Sequence, residues 1–163
     1  LAAAVCASFW LRWGVRRPSF IVVEPTRADC VYQSLAAGHP VVVIAPPYIP
    51  YAPAWQAAGV DLSQLEIVHA SPRDALWAFE QCLRSGACAA VLGWPQQADA
   101  QSLRRLQVAA DSGDCLGFAF RDRKHVANAS PAALRMEHAG GQWHVRKCRG
   151  GQLPSRTFAL ATH

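Results

Sequence analysis

The residues closest to a catalytic arrangement are a histidine and a serine two positions apart, His69 and Ser71. A histidine can activate a serine hydroxyl as a nucleophile, but a carboxylate must then orient the imidazole ring. No carboxylate is placed to do this for His69. Ser71, followed by Pro72 and Asp74, is instead typical of a helix N-terminus with serine as the N-cap. We therefore expect Ser71 to cap a helix.

Motifs that hold phosphate groups are absent from the sequence. Neither G-x-x-x-x-G-K-[ST] nor G-x-G-x-x-G occurs. After the first predicted strand stands Glu-Pro-Thr-Arg-Ala-Asp at 24–29, although backbone amides reach a phosphate best where side chains are missing. The central apolar run ends in Trp94, where a nucleotide hydrolase would place an acidic magnesium ligand. We expect no cofactor and no ATP hydrolysis.

Metal-binding and nucleophile motifs are also missing. The sequence has no H-E-x-x-H, no H-x-E zinc spacing and no G-x-S-x-G elbow. None of the six cysteines forms a C-x-x-C pair, and three of them lie in apolar runs, where free thiols behave as small core residues. The cysteines are Cys6, Cys30, Cys82, Cys88, Cys115 and Cys148. We expect reduced thiols, no metal site and no catalytic residue; the protein is not predicted to be an enzyme.

Length and composition indicate one globular domain. The chain has 163 residues, of which 52% are hydrophobic and 17% charged, enough apolar residues to form a core. The apolar run at 1–11 is followed by Arg12, Arg16 and Arg17, and no stretch of about 18 residues is both uncharged and apolar throughout. We expect a cytoplasmic protein without a membrane segment.

The apolar runs are short and mostly continuous, which is typical of strands buried on both faces of a parallel sheet. They alternate with helical patterns, the clearest of which runs from Ser71 to the residue before Gly86. Predicted strands lie at 20–23, 41–45, 65–69, 87–94 and 115–120, and predicted helices at 26–37, 54–58, 71–85 and 99–112. This alternation predicts an α/β fold with a doubly wound, mostly parallel sheet and helices on both faces.

Near the C-terminus the pattern changes to a β-hairpin around Gly140-Gly141. The turn predicts that His138 pairs with Trp143, Met136 with Val145 and Leu134 with Lys147. Residues 157–162 are a candidate further strand. We expect the hairpin to lie antiparallel at the edge of the sheet.

Positive charge is concentrated in the same part of the chain. Residues 1–120 sum to −1, whereas the remainder carries +6. Such a basic end is compatible with nucleic-acid binding, although a solvated tail on a basic protein is the commoner meaning. The candidate nucleic-acid residues are Arg121, Arg123, Lys124, Arg146, Lys147 and Arg149.

A second set of residues has the composition of a protein interface. On the predicted helix 71–85, Trp77 projects opposite the stripe of Leu76, Phe79 and Leu83, and tryptophan beside arginine is typical of interface hot spots. The alternative is that another part of the chain covers Trp77. Trp94 either lines a docking groove with 46–48 or caps the core. The candidate partner-binding residues are Trp77, Arg73, Arg84, Trp94, Arg104 and Arg105.

Five segments, taken in order, resemble a known family. They lie at 45–54 (Ala-Pro-Pro-Tyr-Ile-Pro-Tyr-Ala-Pro-Ala), 57–62, 74–86, 89–94 and 103–110. Together they resemble the ImuA proteins, translesion-synthesis accessory factors related to SulA and RecA. The resemblance implies a RecA-like core over 33–151. It leaves an atypical N-terminal segment at 1–32 and a C-terminal tail strand at 152–163.

The ImuA resemblance implies a non-catalytic bacterial accessory protein of SOS-induced translesion DNA synthesis and mutagenesis. Its expected partners are an ImuB-like Y-family polymerase homologue, an error-prone replicative-type DNA polymerase and RecA, with direct DNA contact as a subsidiary expectation and nucleoid association when engaged. SulA, the division inhibitor that binds FtsZ, is a second resemblance, through the leucine-rich helix and the Gly93-Trp94 strand end. An ATP-dependent RecA-like DNA-binding enzyme is a third alternative, for which this chain lacks the phosphate loop.

Overall fold

The computed structural model describes residues 18–23, 37–57, 60–139 and 142–149, with Leu153 and Thr157. Within this part of the chain the strands are β1 (Pro18–Val23), β2 (Val41–Ile44), β3 (Leu65–Val68), β4 (Ala90–Gly93), β5 (Leu116–Asp122), β6 (Leu134–Ala139) and β7 (Gln142–Cys148). The helices are α1 (Ala52–Ala57), α2 (Ala75–Arg84) and α3 (Ala100–Ser112), with single 3₁₀ turns at Leu62–Gln64 and Arg123–His125.

Several predictions fall outside the described residues. They concern most of the helix at 26–37, most of the tail strand at 157–162, the Gly140-Gly141 turn, and two of the six cysteines, Cys6 and Cys30.

The described strands form one sheet in the order β3-β2-β4-β5-β1-β6-β7, and its first four strands are parallel. The centre of this parallel part is buried on both faces, as the continuous apolar runs predict: Val43 and Val91 have no exposed surface. The α/β class, with parallel strands flanked by helices and an antiparallel hairpin at one edge, is confirmed.

Alternate residues of the strands divide the core between the two faces of the sheet. On one face, Phe79 and Leu83 of α2 and Leu106 of α3 pack with Val42 and Val91. The opposite face holds a second cluster of Val43, Trp55, Leu92, Phe118, Phe120 and Trp143. The hairpin therefore shares a core with the parallel strands through Trp143.

The first strand has a different direction from the one predicted. β1 lies between β5 and β6 and is antiparallel to both, with Pro18 opposite Asp122 and Val23 opposite Gly117. Its carboxyl end is consequently at the opposite edge of the sheet from the ends of β2, β3 and β4. An apolar run shows that a strand is buried but carries no information about its direction. The segment 24–29, considered above as a phosphate-binding turn, lies outside the described residues.

The hairpin register is partly as predicted. His138 pairs with Trp143 and Met136 with Val145, but Leu134 pairs with Cys148 rather than with Lys147. A β-bulge causes the difference: the register shifts between Arg135 and Met136, so β7 uses one extra residue there.

Helices α2 and α3 approach each other closely near their C-terminal ends. A Cβ atom on Gly113, directly after α3, would lie 2.0 Å from the carbonyl oxygen of Leu83, so this position requires glycine. Gly86, with φ +67°, occupies the left-handed conformation predicted after α2. These two glycines let both helices end over the sheet side by side.

Candidate functional site

The carboxyl ends of β2, β3 and β4 open onto a groove of about 730 Å³. Because parallel strands end at the same sheet edge, this is where α/β proteins place their ligands. The groove wall contains prolines and aromatic rings from the segments after β2 and β4. These residues are Pro46, Pro47, Tyr48, Trp94 and Pro95.

The segment after β2 is poorly suited to binding a phosphate group. A phosphate-binding loop presents several backbone N–H groups to the ligand. Here the N–H of Ala45 donates to the carbonyl oxygen of Val68 at 2.8 Å, and Pro46 and Pro47 have no N–H group. These three residues therefore give an apolar wall rather than an anion cradle.

The serine of the candidate catalytic pair has a structural role, as the sequence predicts. The Oγ of Ser71 donates to Oδ2 of Asp74 at 2.6 Å and accepts from the Asp74 N–H at 3.2 Å. The bond from the Asp74 N–H is the one expected of a serine N-cap, whereas the Asp74 carboxylate accepts from the Ser71 hydroxyl instead of from the Ser71 backbone N–H. The regular helix begins at Ala75 after a turn at 72–74. His69 lines the groove and is exposed.

Trp94 both lines the groove and contacts the core, the two positions that the sequence left open. Its ring lines the groove and also stacks on Phe120, with ring centroids 5.1 Å apart and an interplanar angle of 22°. Phe120 belongs to the core on the hairpin side of the sheet. Trp94 therefore joins the groove wall to the core, and its position is held by stacking.

An exposed apolar loop borders the groove. Ile49 is 92% exposed, and its neighbours Tyr48 and Tyr51 are exposed as well. From the sequence, Tyr48 and Tyr51 are candidate neighbours of Trp94 in a docking groove, but the candidate partner-binding residues do not include Tyr48, Ile49 or Tyr51. The signal that could have found them is the spacing of Pro50 and Pro53, because prolines keep a loop extended and prevent its side chains from folding back onto the core.

Trp77 is 65% exposed on α2, opposite the buried Phe79 and Leu83. This is the orientation that the helical spacing predicts. Arg73, four residues earlier in the turn before α2, lines the groove, whereas Trp77 is not one of its lining residues.

The remaining arginines of the candidate interface are linked to one another across the two helices. Nη2 of Arg84 lies 2.8 Å from one carboxylate oxygen of Glu80, and Nε of Arg105 lies 3.4 Å from the other. Arg104 donates to the side-chain oxygen of Gln107. The ion pairs of Glu80 join α2 to α3, whereas the Arg104 contact lies within α3. Of the predicted partner-binding residues, Arg73 and Trp94 line the groove.

Arg121 corrects the predicted nucleic-acid set. It is only 3% exposed, and its Nη2 donates to the carbonyl oxygen of Ala98 at 2.8 Å. Burial lowers the pKa of the guanidinium, and nearby Arg135 lowers it further. Its side chain holds the loop after β4 in place, so it cannot reach an external ligand.

Two other cations of that set surround a buried carboxylate. Glu137 is 1% exposed; Nε of Arg123 lies 2.6 Å from its Oε1, and Nη2 of Arg146 lies 2.5 Å from its Oε2. Burial alone would raise the pKa of Glu137, but Arg146 and Arg123 outweigh it and hold the pKa below its ordinary value. Glu137 therefore joins the hairpin to the 3₁₀ turn that follows β5.

The other basic residues lie against the loop at 126–131. Nζ of Lys147 donates to the carbonyl oxygen of Ser130 at 2.8 Å, and Nη2 of Arg149 donates to that of Pro131 at 2.9 Å. Arg135, absent from the predicted set, lies directly opposite Lys147 in the hairpin. Lys124 is exposed and lies 3.2 Å from Asp122.

The described residues contain no group of three or more histidine, cysteine, aspartate or glutamate side chains that could hold a metal ion. No helix in this part of the chain has the length and apolar character to cross a membrane.

The fold and the groove define an α/β protein in which the carboxyl edge of the parallel strands carries a groove lined largely by proline and aromatic residues. No protein-family profile matches the chain. Over 91 residues it is 32% identical to the cell division inhibitor SulA of Edwardsiella piscicida, covering 54% of each protein. A crystal structure of SulA from Pseudomonas aeruginosa has 22% identity and a TM-score of 0.46, covering 53% of this chain and 71% of that one.

The chain thus spans about half the length of the curated relative that it matches. This similarity indicates a relationship to SulA over the matched half of the chain. It does not extend to the ImuA family in particular.

Proposed function

We propose that this protein acts in the SOS response by binding another protein, as a SulA-type inhibitor of cell division with FtsZ as its partner. The observation that carries the proposal is the 91-residue similarity to a cell division inhibitor. This was the second resemblance found in the sequence, and the comparison favours it over the ImuA role.

The groove supports a binding role rather than a catalytic one. Proline and aromatic side chains form much of its wall, and the hydroxyl of Ser71 is engaged with Asp74. His69, Arg73 and Asp122 also line the groove, but none of the described residues places a nucleophile beside His69. We therefore propose that the protein is not an enzyme. Inhibition would then come from occupying a surface of FtsZ.

The contact surface proposed here is the exposed loop, the groove rim and the exposed side of α2. Ile49, Tyr51 and Trp77 are large apolar side chains left exposed on this surface. Side chains of this kind contribute most of the free energy at protein interfaces, and tryptophan and tyrosine are enriched among such hot spots. Burying them against FtsZ would remove apolar surface that is otherwise in contact with water.

The test is expression of the full chain in growing bacteria without DNA damage, with cell length as the readout. Wild-type protein is expected to cause filamentation, and purified protein to reduce FtsZ polymerisation. The double variant Ile49→Ala/Tyr51→Ala should bind FtsZ about thirtyfold more weakly or worse, the size of one hot spot. Val108→Ala removes an exposed apolar group from α3 and is the matched control, expected to act like wild type.

Normal cell length at a protein level equal to that of FtsZ, with no effect of the purified protein on polymerisation, would contradict the SulA-type proposal. Filamentation that is unchanged in Ile49→Ala/Tyr51→Ala would instead place the contact surface elsewhere.

A second candidate function is the ImuA-type role in translesion synthesis. It is favoured by the segment at 45–54, which forms the groove wall and the exposed loop, and by the hairpin. The partners would be an ImuB-like polymerase homologue, an error-prone replicative-type polymerase and RecA. This function predicts restored damage-induced mutagenesis in a strain lacking its own accessory protein, together with normal cell length in undamaged cells.

A further inference from the structure

The positive charge of the chain is concentrated at one end of the sheet. Residues 121–149 contain seven cationic and two acidic side chains, a net charge of +5, which equals the formal charge of all 163 residues. We propose that six of these cations form a site for the phosphate backbone of duplex DNA, bound without regard to base sequence. They are Arg123, Lys124, Arg135, Arg146, Lys147 and Arg149, called here the hairpin strip.

Contacts with the backbone of a neighbouring loop hold three of these side chains in position. Arg135 donates to two carbonyl oxygens of the loop 126–131, at 2.7 and 3.0 Å. Lys147 and Arg149 each donate to one further carbonyl of that loop, at 2.8 and 2.9 Å. An arginine has five N–H donors and a lysine three, so each side chain keeps donors for a ligand. Less side-chain entropy is then lost on binding than for a disordered basic tail.

The carboxylates of this region do not neutralise the strip. Glu137 lies between Arg123 and Arg146, and Asp122 lies beside Lys124. That leaves Arg135, Lys147 and Arg149 as three neighbouring cations for which the described residues show no carboxylate partner.

Lys147 lies close to two other positive charges, those of Arg149 and Arg135. Burial lowers the pKa of its ammonium group, and Arg149 and Arg135 lower it further. Cations this close repel one another, and a bound polyanion would relieve the repulsion.

The chemistry of the strip favours duplex DNA over other polyanionic or acidic partners. The described residues that expose large apolar side chains all lie outside the strip: Tyr48, Ile49, Tyr51, Trp77, Val108 and Leu153. The hairpin's own Trp143 is buried in the core. Peripheral membrane binding needs inserted apolar groups, and single-stranded nucleic acid is bound largely by stacking on aromatic rings. A duplex backbone needs mainly charge and hydrogen-bond donors.

The charge count predicts the salt dependence of binding. Six cations less the two carboxylates leave a net charge of +4 at the strip. If each unit of charge neutralises one phosphate, the logarithm of the binding constant should fall with the logarithm of salt concentration at a slope of about −3.6. Affinity should be that of sequence-independent binding, with a dissociation constant of about 1–100 μM at physiological salt.

The experiment titrates the full chain into two fluorescent duplexes of unrelated sequence, over about 50 to 200 mM KCl, and follows anisotropy. Equal affinity for both duplexes and a slope between about −3 and −4 are expected. Lys147→Gln/Arg149→Gln should reduce the slope by about 2 and weaken binding more than about tenfold at low salt. Arg73→Gln/Arg104→Gln removes the same charge from the helices and should keep the wild-type slope.

Lys124→Gln is the second variant, because its exposed side chain can be removed without disturbing the core; it should reduce the slope by about 1. Melting temperatures confirm that all variants are folded. A flat salt response, or slopes for both strip variants equal to that of wild type, would overturn the proposal. Tighter binding at equal salt to phosphatidylserine vesicles, to polyglutamate or to single-stranded DNA would overturn it as well.

Discussion

Replacing Glu137 with glutamine tests whether the buried carboxylate stabilises the hairpin. Losing one member of a fully buried ion pair costs about 3–5 kcal/mol, and losing an exposed pair about 0–1 kcal/mol. Glu137 is 1% exposed, but the side chains of Arg123 and Arg146 are each 49% exposed and can regain water. We therefore expect Glu137→Gln to lower the free energy of unfolding by about 2 kcal/mol at neutral pH, or the melting temperature by about 4–8 °C.

The same contacts predict how this loss depends on pH. The pKa of Glu137 is lowered in the folded protein, so its stabilising effect is fully present above the unfolded value of about 4.3. The effect is lost as the pH falls through the lower folded pKa. The difference in melting temperature between wild type and Glu137→Gln should consequently shrink as the pH is lowered from 7 towards 3.

The assay is thermal unfolding followed by circular dichroism at several pH values. Glu66→Gln is the matched control, since Glu66 is an exposed glutamate on a strand; it should melt with the wild type. A double-mutant cycle with Arg146→Gln should give a coupling free energy of about 1 kcal/mol or more. A melting temperature for Glu137→Gln within about 1 °C of wild type at neutral pH, or a difference that persists unchanged in acid, would refute the reasoning.

Three further predictions concern the core. Arg121→Ala should lower the free energy of unfolding, measured by urea titration, by about 2–4 kcal/mol. The substitution empties a buried site and leaves the Ala98 carbonyl without this donor. A change under about 0.5 kcal/mol would contradict the buried role of Arg121. Gly113→Ala should lower the free energy of unfolding by about 3 kcal/mol or more, since the new Cβ would lie 2.0 Å from the Leu83 carbonyl oxygen. A variant that melts at the wild-type temperature would show that this close approach is wrong. Burial raises the pKa of the Cys115 thiol to about 12. The thiol should therefore resist alkylation by iodoacetamide at pH 8 until the protein unfolds, as measured by mass spectrometry. Rapid alkylation of the folded protein would contradict the burial of Cys115.

The sequence predicted best the elements whose ends are marked by capping or turn residues nearby in the sequence. The Ser71 cap and Gly86 mark the two ends of α2, and Asp99, whose side chain accepts from the Ser102 N–H at 2.7 Å, marks the start of α3. Helical spacing likewise predicted that Trp77 projects away from the buried stripe of α2; that it is exposed is decided by the structure. These signals depend on residues at most a few turns apart, so no knowledge of the tertiary structure is needed to interpret them.

The candidate sites were less predictable, because their environment is formed by distant segments. An arginine in a basic segment is expected to be exposed, yet Arg121 is buried because the loop carrying Ala98 presents a carbonyl to it from 23 residues away. The groove, too, requires the ends of three strands to meet, and the sequence shows only that each strand ends in proline or polar residues.

The sequence by itself determined which of the described segments are strands and helices, the absence of a phosphate-binding motif and the concentration of charge after residue 120. Only the tertiary structure decided the antiparallel direction of β1, the bulge beside Arg135, and the meeting of Glu137 with Arg123 and Arg146. The reason is physical: hydrophobic periodicity and capping act over neighbouring residues, whereas strand direction, register and charge pairing depend on which segments the folded sheet brings together.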